Sequence, residues 1–351
     1  MRDRKEHDHH FLIQWDLTER CNLRCRHCRQ EDALLPEMPF PSIMEAFQEI
    51  TDTAHAREDA SGMPFVPRFT ITGGEPFLRN DLARVLEMLT RPNFEVFLCT
   101  NGTLVDRDRA RMLADQGIAG VQVSIEGPDD IHDSLRGEGS FDRAIDGIDH
   151  LLDAGLKVTV HVALSKLNAH CMMKVVAFAS HMGVHRIGCS RLLPCGRGGA
   201  LTIPTLSPDE IKALYRSLFA LELRNIEIVS GDPLAALEKP NGPAKGRGKR
   251  RNGHGNEPVP SGGCTAGVSG ITVLSDGTMV PCRRLGIRLG NLRDDSLREI
   301  WAASPVIEAL RSRDRYPGRC GRCSRWEHCR GCRAIAYAAS ALQGRPDFLA
   351  D

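Results

Sequence analysis

The chain has 351 residues, 41% of them hydrophobic, with 46 Lys and Arg against 45 Asp and Glu. That length supports a sizeable core in one large domain or two unequal ones, and the balanced charge gives no general attraction to nucleic acid or to a membrane surface. The charged N-terminus MRDRKEHDHH lacks the apolar stretch of a signal peptide, and no apolar run is long enough to cross a bilayer. The expected compartment is therefore the cytoplasm, where thiols stay reduced and 13 cysteines need an explanation other than disulfides.

Apolar, β-branched runs alternate with longer helical segments. The runs are FLIQWDL (11–17), RFTIT (68–72), EVFLCT (95–100), GVQVSI (120–125), KVTVHVAL (157–164) and RIGCSRLL (186–193). Between them, Ser42 and Glu45 read as a capping box after Pro41, Asp106 and Ser140 as caps of later helices, and Ser207-Pro208 with Glu210 as a further helix start. Gly117, Gly155 and Gly183 stand where a left-handed residue ends a helix. The alternation predicts an α/β fold with a parallel sheet, open or closed into a barrel. Six strand–helix units are legible, short of the eight of a full barrel.

Unusual residues follow these strands. CNLRCRHC (21–28) comes after the first, Gly73-Gly74-Glu75-Pro76 after the second and Thr100-Asn101-Gly102-Thr103 after the third. Ser124-Ile125-Glu126-Gly127 lies at the end of the fourth and Pro194-Cys195-Gly196-Arg197-Gly198 after the sixth. Ligands bind at the C-terminal edge of parallel sheets. Any one of these stretches alone reads as an ordinary turn. Five in register with a cysteine cluster predict one shared cavity.

Beyond residue 238 the composition changes. KPNGPAKGRGKRRNGHGNEPVPSGG (239–263) is basic, glycine-rich and almost without apolar residues, and reads as a solvated linker. GITVLSDGTMVPC (270–282) reads as a β-hairpin turning at Asp276-Gly277, and Ser296 with Glu299 caps the next helix. CGRCSRWEHCRGC (320–332) closes the chain's cysteine pattern. The expected segments are a tail (1–10), a barrel (11–230), the linker (231–263) and a cysteine-rich unit (264–351). His7, His9 and His10 are expected to fray with the terminus.

The cysteines cluster at both ends. Zinc asks for four ligands in a closed tetrahedron, whereas the first loop offers Cys21, Cys25 and Cys28, with His27 abutting the third. An iron–sulfur cube on three thiolates keeps one iron open for a ligand, and Arg24, Arg26 and Arg29 would offset an anionic cluster. The loop favours iron–sulfur over zinc. The paired C-x2-C groups of the second block, taken alone, also suit a zinc knuckle. Cys99, Cys171 and Cys189 read as small buried hydrophobes.

C-x3-C-x2-C after the first strand, with GGEP after the second, resembles the radical S-adenosylmethionine superfamily. His27 departs from the aromatic residue usual before the third cysteine. The resemblance covers about residues 11–200 and implies a partial (β/α)6 TIM-like barrel. It implies a [4Fe–4S] cluster on Cys21, Cys25 and Cys28, with S-adenosylmethionine on the open iron and cleaved to a 5′-deoxyadenosyl radical that takes a hydrogen from the substrate. Gly73, Gly74, Glu75 and Pro76 would then serve the methionine ammonium, the glycines by leaving carbonyls exposed. Ser124 and Glu126 would serve the ribose, with Asn101 on the same rim. Arg136 and Arg191 are candidates for the methionine carboxylate.

The second block resembles a SPASM domain, which binds up to two auxiliary [4Fe–4S] clusters. By that resemblance Cys264, Cys282 and Cys332 serve the first and Cys320, Cys323 and Cys329 the second. The last spacing is x2 where many members have x3, and no seventh cysteine follows Cys332. Asp347 or Asp351 would substitute for it, or the second cluster would be incomplete. Cys195 is a candidate fourth ligand of the first cluster or a handler of a substrate proton.

Enzymes of this architecture mostly modify peptides, so a peptide substrate is the first expectation. It comes with an electron donor such as flavodoxin or ferredoxin. A leader-peptide-binding protein would be separate, since only about ten residues precede the first strand. The competitor is a tetrapyrrole whose side chains lose carboxylates or acetates in haem or haem d1 synthesis, because the CGxC…CxGCRA run is similar to that of such enzymes. A non-catalytic iron–sulfur or zinc scaffold is the alternative of another class.

Overall fold

The computed structural model describes residues 9–30, 34–61, 65–91, 94–193, 195–198, 205–239, 263–342 and 347–349. The strands are β1 (His9–Thr18), β2 (Phe65–Gly73), β3 (Glu95–Thr100), β4 (Gly120–Ser124), β5 (Val158–Leu164), β6 (Arg186–Arg191), β7 (Glu227–Ser230), β8 (Gly270–Val273), β9 (Thr278–Val280) and β10 (Gly290–Asn291). The helices between them are α1 (Phe40–Ser61), α2 (Leu82–Thr90), α3 (Arg107–Asp115), α4 (Asp129–Arg136), α5 (Ser140–Asp153), α6 (Met172–Met182), α7 (Pro208–Phe219) and α8 (Ala235–Glu238). Four short helices follow the hairpin: α9 (Leu297–Ala303), α10 (Pro305–Arg311), α11 (Gly318–Arg322) and α12 (Arg333–Leu342).

All six expected strands form, and β1 to β7 run parallel in chain order. β7 is a seventh strand that the sequence reading did not include. It has four residues and lies at the sheet edge, so it carries little periodic signal. The hairpin turns at Asp276-Gly277 as expected, with Gly277 at φ 90°. It is not a free-standing unit. β8 pairs in parallel with β1, from Leu12 opposite Gly270 to Trp15 opposite Val273, and one ten-stranded sheet results. The pairing satisfies the backbone groups of the β1 edge that an incomplete barrel leaves open.

Side chains alternate across this sheet. Phe11, Ile13, Trp15 and Leu17 of β1 and Val158, Val160, Val162 and Leu164 of β5 are buried in the core with Val85, Leu86, Leu113, Ile148 and Val175 of the helices. The opposite, inner face carries Leu12, Gln14 and Thr70, which line a cavity, and Thr159 and His161 of β5.

Asp106 accepts from Arg109 N at 2.8 Å, and Ser207 with Glu210 makes the full capping box of α7. Gly117, Gly155 and Gly183 sit at φ 71°, 77° and 77° just past their helices. Two cap assignments need correction. α1 begins at Phe40, with Ile43 N on Pro39 O, so Ser42 and Glu45 lie inside it and Pro41 occupies the first turn. Ser140 is already helical, and the cap of α5 is supplied by Asp133, which accepts from Gly139 N at 2.6 Å and Phe141 N at 2.8 Å. The fraying expected of His9 and His10 is also corrected: both pair with β2, opposite Phe65 and Val66. Of the expected linker 231–263, Ala235–Glu238 form α8, and 240–262 lie outside the described residues, as does His7. Among the described residues no helix is long and apolar enough to cross a membrane.

Candidate active site

Because β1 to β6 are parallel, Thr18, Gly73, Thr100, Ser124 and Arg191 end their strands on one edge of the sheet. The cysteine loop lies across that edge, and the turns after the other strands hold it by backbone bonds. Gly74 N donates to Thr18 O at 2.7 Å and Glu75 N to Arg20 O at 2.8 Å. Arg26 N donates to Leu135 O at 2.8 Å, and Gly198 N to Cys28 O at 3.0 Å. Asn101 Nδ2 donates to Asn22 Oδ1 at 2.9 Å and lies 3.9 Å from Cys21 Sγ.

This contact explains the glycines differently from the sequence reading. A Cβ on Gly73, at φ 145°, would overlap the Thr18 carbonyl oxygen, and one on Gly74 that of Arg20. The start of the cysteine loop packs against the side where a Cβ would stand. Glu75 is likewise no free arm. It is fully buried, with Oε1 accepting from Thr100 Oγ1 at 2.8 Å and Phe77 N at 3.3 Å, and Oε2 from Asn101 N at 2.8 Å. Burial pushes its carboxyl up to about 6 against these bonds. Pro76 starts the single 3-10 turn that Glu75 caps.

Glu126 holds the other side of the loop. Its Oε1 accepts from Arg136 Nη2 at 2.6 Å and Nε at 3.1 Å and meets His27 Nε2 at 3.1 Å, while Oε2 accepts from Ala163 N at 2.9 Å. Burial opposes the charge, but Arg136 and His27 outweigh it and hold the carboxyl below the usual range. The carboxylate expected to meet a ribose is thus fully engaged with protein donors. His27, the departure from the aromatic pattern, is the link between loop and strand. Ser124 keeps its hydroxyl without a protein partner among the described residues.

The cation that faces a thiol is Arg136, whose Nη1 is 3.9 Å from Cys25 Sγ. Two arginines of the loop itself are engaged elsewhere: Arg29 pairs with Asp16 and Arg26 donates to Ser134 O at 3.2 Å. Arg197, which sequence reasoning gave no role, donates to Cys25 O at 3.3 Å. Burial pushes Cys21 up to about 11 and raises Cys25, against Arg136. Such thiols are protonated until a metal takes them, and coordination then removes the proton.

The expectation that Arg191 reaches a cofactor carboxylate is corrected. Its guanidinium forms a two-point pair with Asp232, with Nη2 at 3.0 Å from Oδ1, and Tyr215 Oη donates to the same carboxylate at 3.1 Å. Asp232 lies beyond β7, the strand missing from the sequence reading. Arg191→Ala leaves that buried carboxylate without its cation. It is expected to lower the unfolding free energy by about 3 kcal/mol in denaturant titrations, without weakening S-adenosylmethionine binding.

In the second block, Cys264, Cys282 and Cys332 line one cavity of ≈ 620 Å³, together with Leu12, Gln14 and Thr70 of the barrel strands. Burial, then the neighbouring Cys332 and Cys282, pushes Cys264 up to about 11. Cys320 and Cys323 are the thiol neighbours of Cys329, and Arg333 Nη2 lies 3.4 Å from Cys320 Sγ. The six thiols therefore fall into two sets of three. Three thiolates in each set suit a cube, which spreads its ligands over several irons. Cys195 packs with Leu193 and Leu285 beside Cys282 and Cys332. Asp347 is occupied locally, accepting from Leu349 N at 2.8 Å, and Asp351 lies outside the described residues.

Two family models match the chain: the radical SAM superfamily at residues 15–179 and the SPASM iron–sulfur cluster-binding domain at 264–333. An AdoMet-dependent heme synthase of Methanosarcina barkeri is 30% identical over 334 residues, covering 94% of this chain and 93% of that protein. The mycofactocin maturase MftC of Mycolicibacterium smegmatis is 26% identical, covering 96% and 81%. Among solved structures, Streptococcus suis SuiB bound to S-adenosylmethionine superposes with a TM-score of 0.74 at 17% identity, over 97% of this chain and 76% of that one. That likeness is one of fold.

Proposed function

Since the chain belongs to the radical SAM superfamily and carries its SPASM iron–sulfur domain, we propose that it removes carboxylate from the side chains of a tetrapyrrole. It is a radical SAM enzyme, with [4Fe–4S] clusters and S-adenosylmethionine as cofactors. The observation that carries the substrate is the 30% identity to a heme synthase along nearly the whole of both chains. The peptide reading has the MftC likeness in its favour, at lower identity.

Cys21, Cys25 and Cys28 would hold the first cluster, which when bound supplies the electron that cleaves S-adenosylmethionine. Arg136, aimed by Glu126, keeps a positive charge beside Cys25. Asn101, fixed by Glu75 and Asn22, braces the loop on the Cys21 side. Ser124 offers a free hydroxyl on the same edge for the cofactor's ribose. Cys264, Cys282 and Cys332 would hold one auxiliary cluster and Cys320, Cys323 and Cys329 a second.

The chemistry balances as an oxidative decarboxylation. When the cofactors are bound and supply a hydrogen-abstracting radical, a propionate would give up one hydrogen atom, lose carbon dioxide and pass one electron to an acceptor as the alkene forms. A one-electron acceptor in the second cysteine block would stand against the same sheet, through the pairing of β8 with β1. The cleaving electron would come from a flavodoxin or ferredoxin.

Formation of 5′-deoxyadenosine by the reduced enzyme tests this reading. Iron coproporphyrin III, a tetrapyrrole with four propionate-type carboxylates, is expected to raise the rate about tenfold or more over the substrate-free rate. No stimulation by the tetrapyrrole, with stimulation by a peptide, would transfer the reading to peptide maturation.

A further inference from the structure

Arg283 and Arg284 follow Cys282 and reach back onto the inner face of the barrel strands. Arg283 Nη1 donates to Thr72 Oγ1 at 3.1 Å. Its Nη1 and Nε lie 3.1 and 2.9 Å from the side-chain amide of Gln14, whose oxygen accepts them. Arg284 Nη2 donates to the backbone oxygen of Arg191 at 2.8 Å. Neither guanidinium has a carboxylate partner among the described residues. Several buried or half-buried arginines do: Arg29 pairs with Asp16, Arg79 with Asp81, Arg136 with Glu126 and Arg191 with Asp232, whereas Arg313 is held by the backbone oxygens of Gly321 and Cys323.

The carboxylates of the surroundings are already engaged, Asp16 with Arg29 and Glu126 with Arg136. His161, on the inner face of β5, is pushed down to about 4 by burial, with Arg283, Arg136 and Arg284 also disfavouring its charge, and so is neutral. Its Nε2 is 3.2 Å from Ser190 Oγ. Asp16, which shares the inner face with Gln14 by strand alternation, is fully buried, and its Oδ1 has no hydrogen-bond partner. Half-buried guanidiniums without an anion carry a desolvation penalty. The cavity of Cys264, Cys282 and Cys332 accounts for part of one charge, because Arg284 lines it. Arg283 borders the same cavity through Gln14, which lines it, and also contacts Thr72. Cys195 feels Arg284, Arg29, Cys28 and Arg283 together, which places the two arginines near the cysteine-loop edge.

We infer that Arg283 and Arg284 form a clamp for the side-chain carboxylates of the substrate at the inner face of the sheet. The inference rests on the tetrapyrrole reading and names what would recognise it. Bidentate arginine–carboxylate bonds suit such groups, and a tetrapyrrole presents several carboxylates.

The test is equilibrium binding of metal-free coproporphyrin III and of its tetramethyl ester to the anaerobic, cluster-loaded enzyme, read by the porphyrin absorbance shift. Wild type is expected to bind the acid at least about tenfold more tightly than the ester. Arg283→Gln and Arg284→Gln are each expected to weaken the acid about tenfold and leave the ester unchanged. Variants with wild-type iron content that bind the acid as tightly as wild type would overturn the clamp and leave the tetrapyrrole reading standing. The acid–ester comparison needs no variant, so equal wild-type affinities overturn the clamp even if a substituted protein fails to fold. Wild type that binds neither compound removes the tetrapyrrole reading and the clamp with it.

Discussion

Cys25→Ala is expected to abolish formation of 5′-deoxyadenosine, a loss of at least about a thousandfold, and to remove about four irons per chain. Cys25 is the most buried of the three loop thiols and the one beside Arg136. Without it the loop offers two thiolates to a cluster that already lacks a fourth. Cys264, Cys282 and Cys332 line a cavity that includes none of the loop cysteines, so the irons of the second block are expected to remain. Iron and acid-labile sulfide, counted with zinc on anaerobically reconstituted protein, separate these sets. Cys171→Ala is the control, a buried cysteine at the start of α6, and should keep both iron and turnover. Wild-type turnover in Cys25→Ala would contradict the assignment of the loop.

Glu126→Ala is expected to destabilise the fold by about 3–5 kcal/mol. The substitution removes the acceptor of Arg136, His27 and Ala163 N together and leaves the Arg136 guanidinium, 11% exposed, with no anion. A lost partner is worse than a lost pair, so adding Arg136→Met should restore part of the stability. Thermal melts of the three proteins give the coupling directly. 5′-Deoxyadenosine formation should fall in Glu126→Ala as well, since the charge beside Cys25 loses its support. A wild-type melting temperature for Glu126→Ala would show that the network contributes nothing to the fold.

The legible parts of this protein were those with local signals. Runs of apolar, β-branched residues located β1 to β6, and Asp276-Gly277 located the hairpin turn, because each depends on residues a few positions apart. Motifs after parallel strands share an edge by topology alone, so the convergence of CNLRCRHC, GGEP and TNGT on one edge was also accessible. Partner choice was not. Arg136 and Arg191 look alike in sequence, yet α4 brings one to Glu126 and the loop after β7 brings Asp232 to the other. The role of His27 depends on Glu126, 99 residues away. The pairing of β8 with β1 joins segments at opposite ends of the chain, and no local pattern encodes it. Gly73 and Gly74 showed that backbone comes close there, but the approaching backbone is the cysteine loop itself.

The mass of a tetracarboxylate iron porphyrin after incubation with reduced enzyme and S-adenosylmethionine tests the central claim most directly. The account predicts a product lighter by one carbon dioxide and two hydrogens for each side chain converted, formed together with 5′-deoxyadenosine. An unchanged porphyrin, in a reaction that still yields 5′-deoxyadenosine, would contradict it.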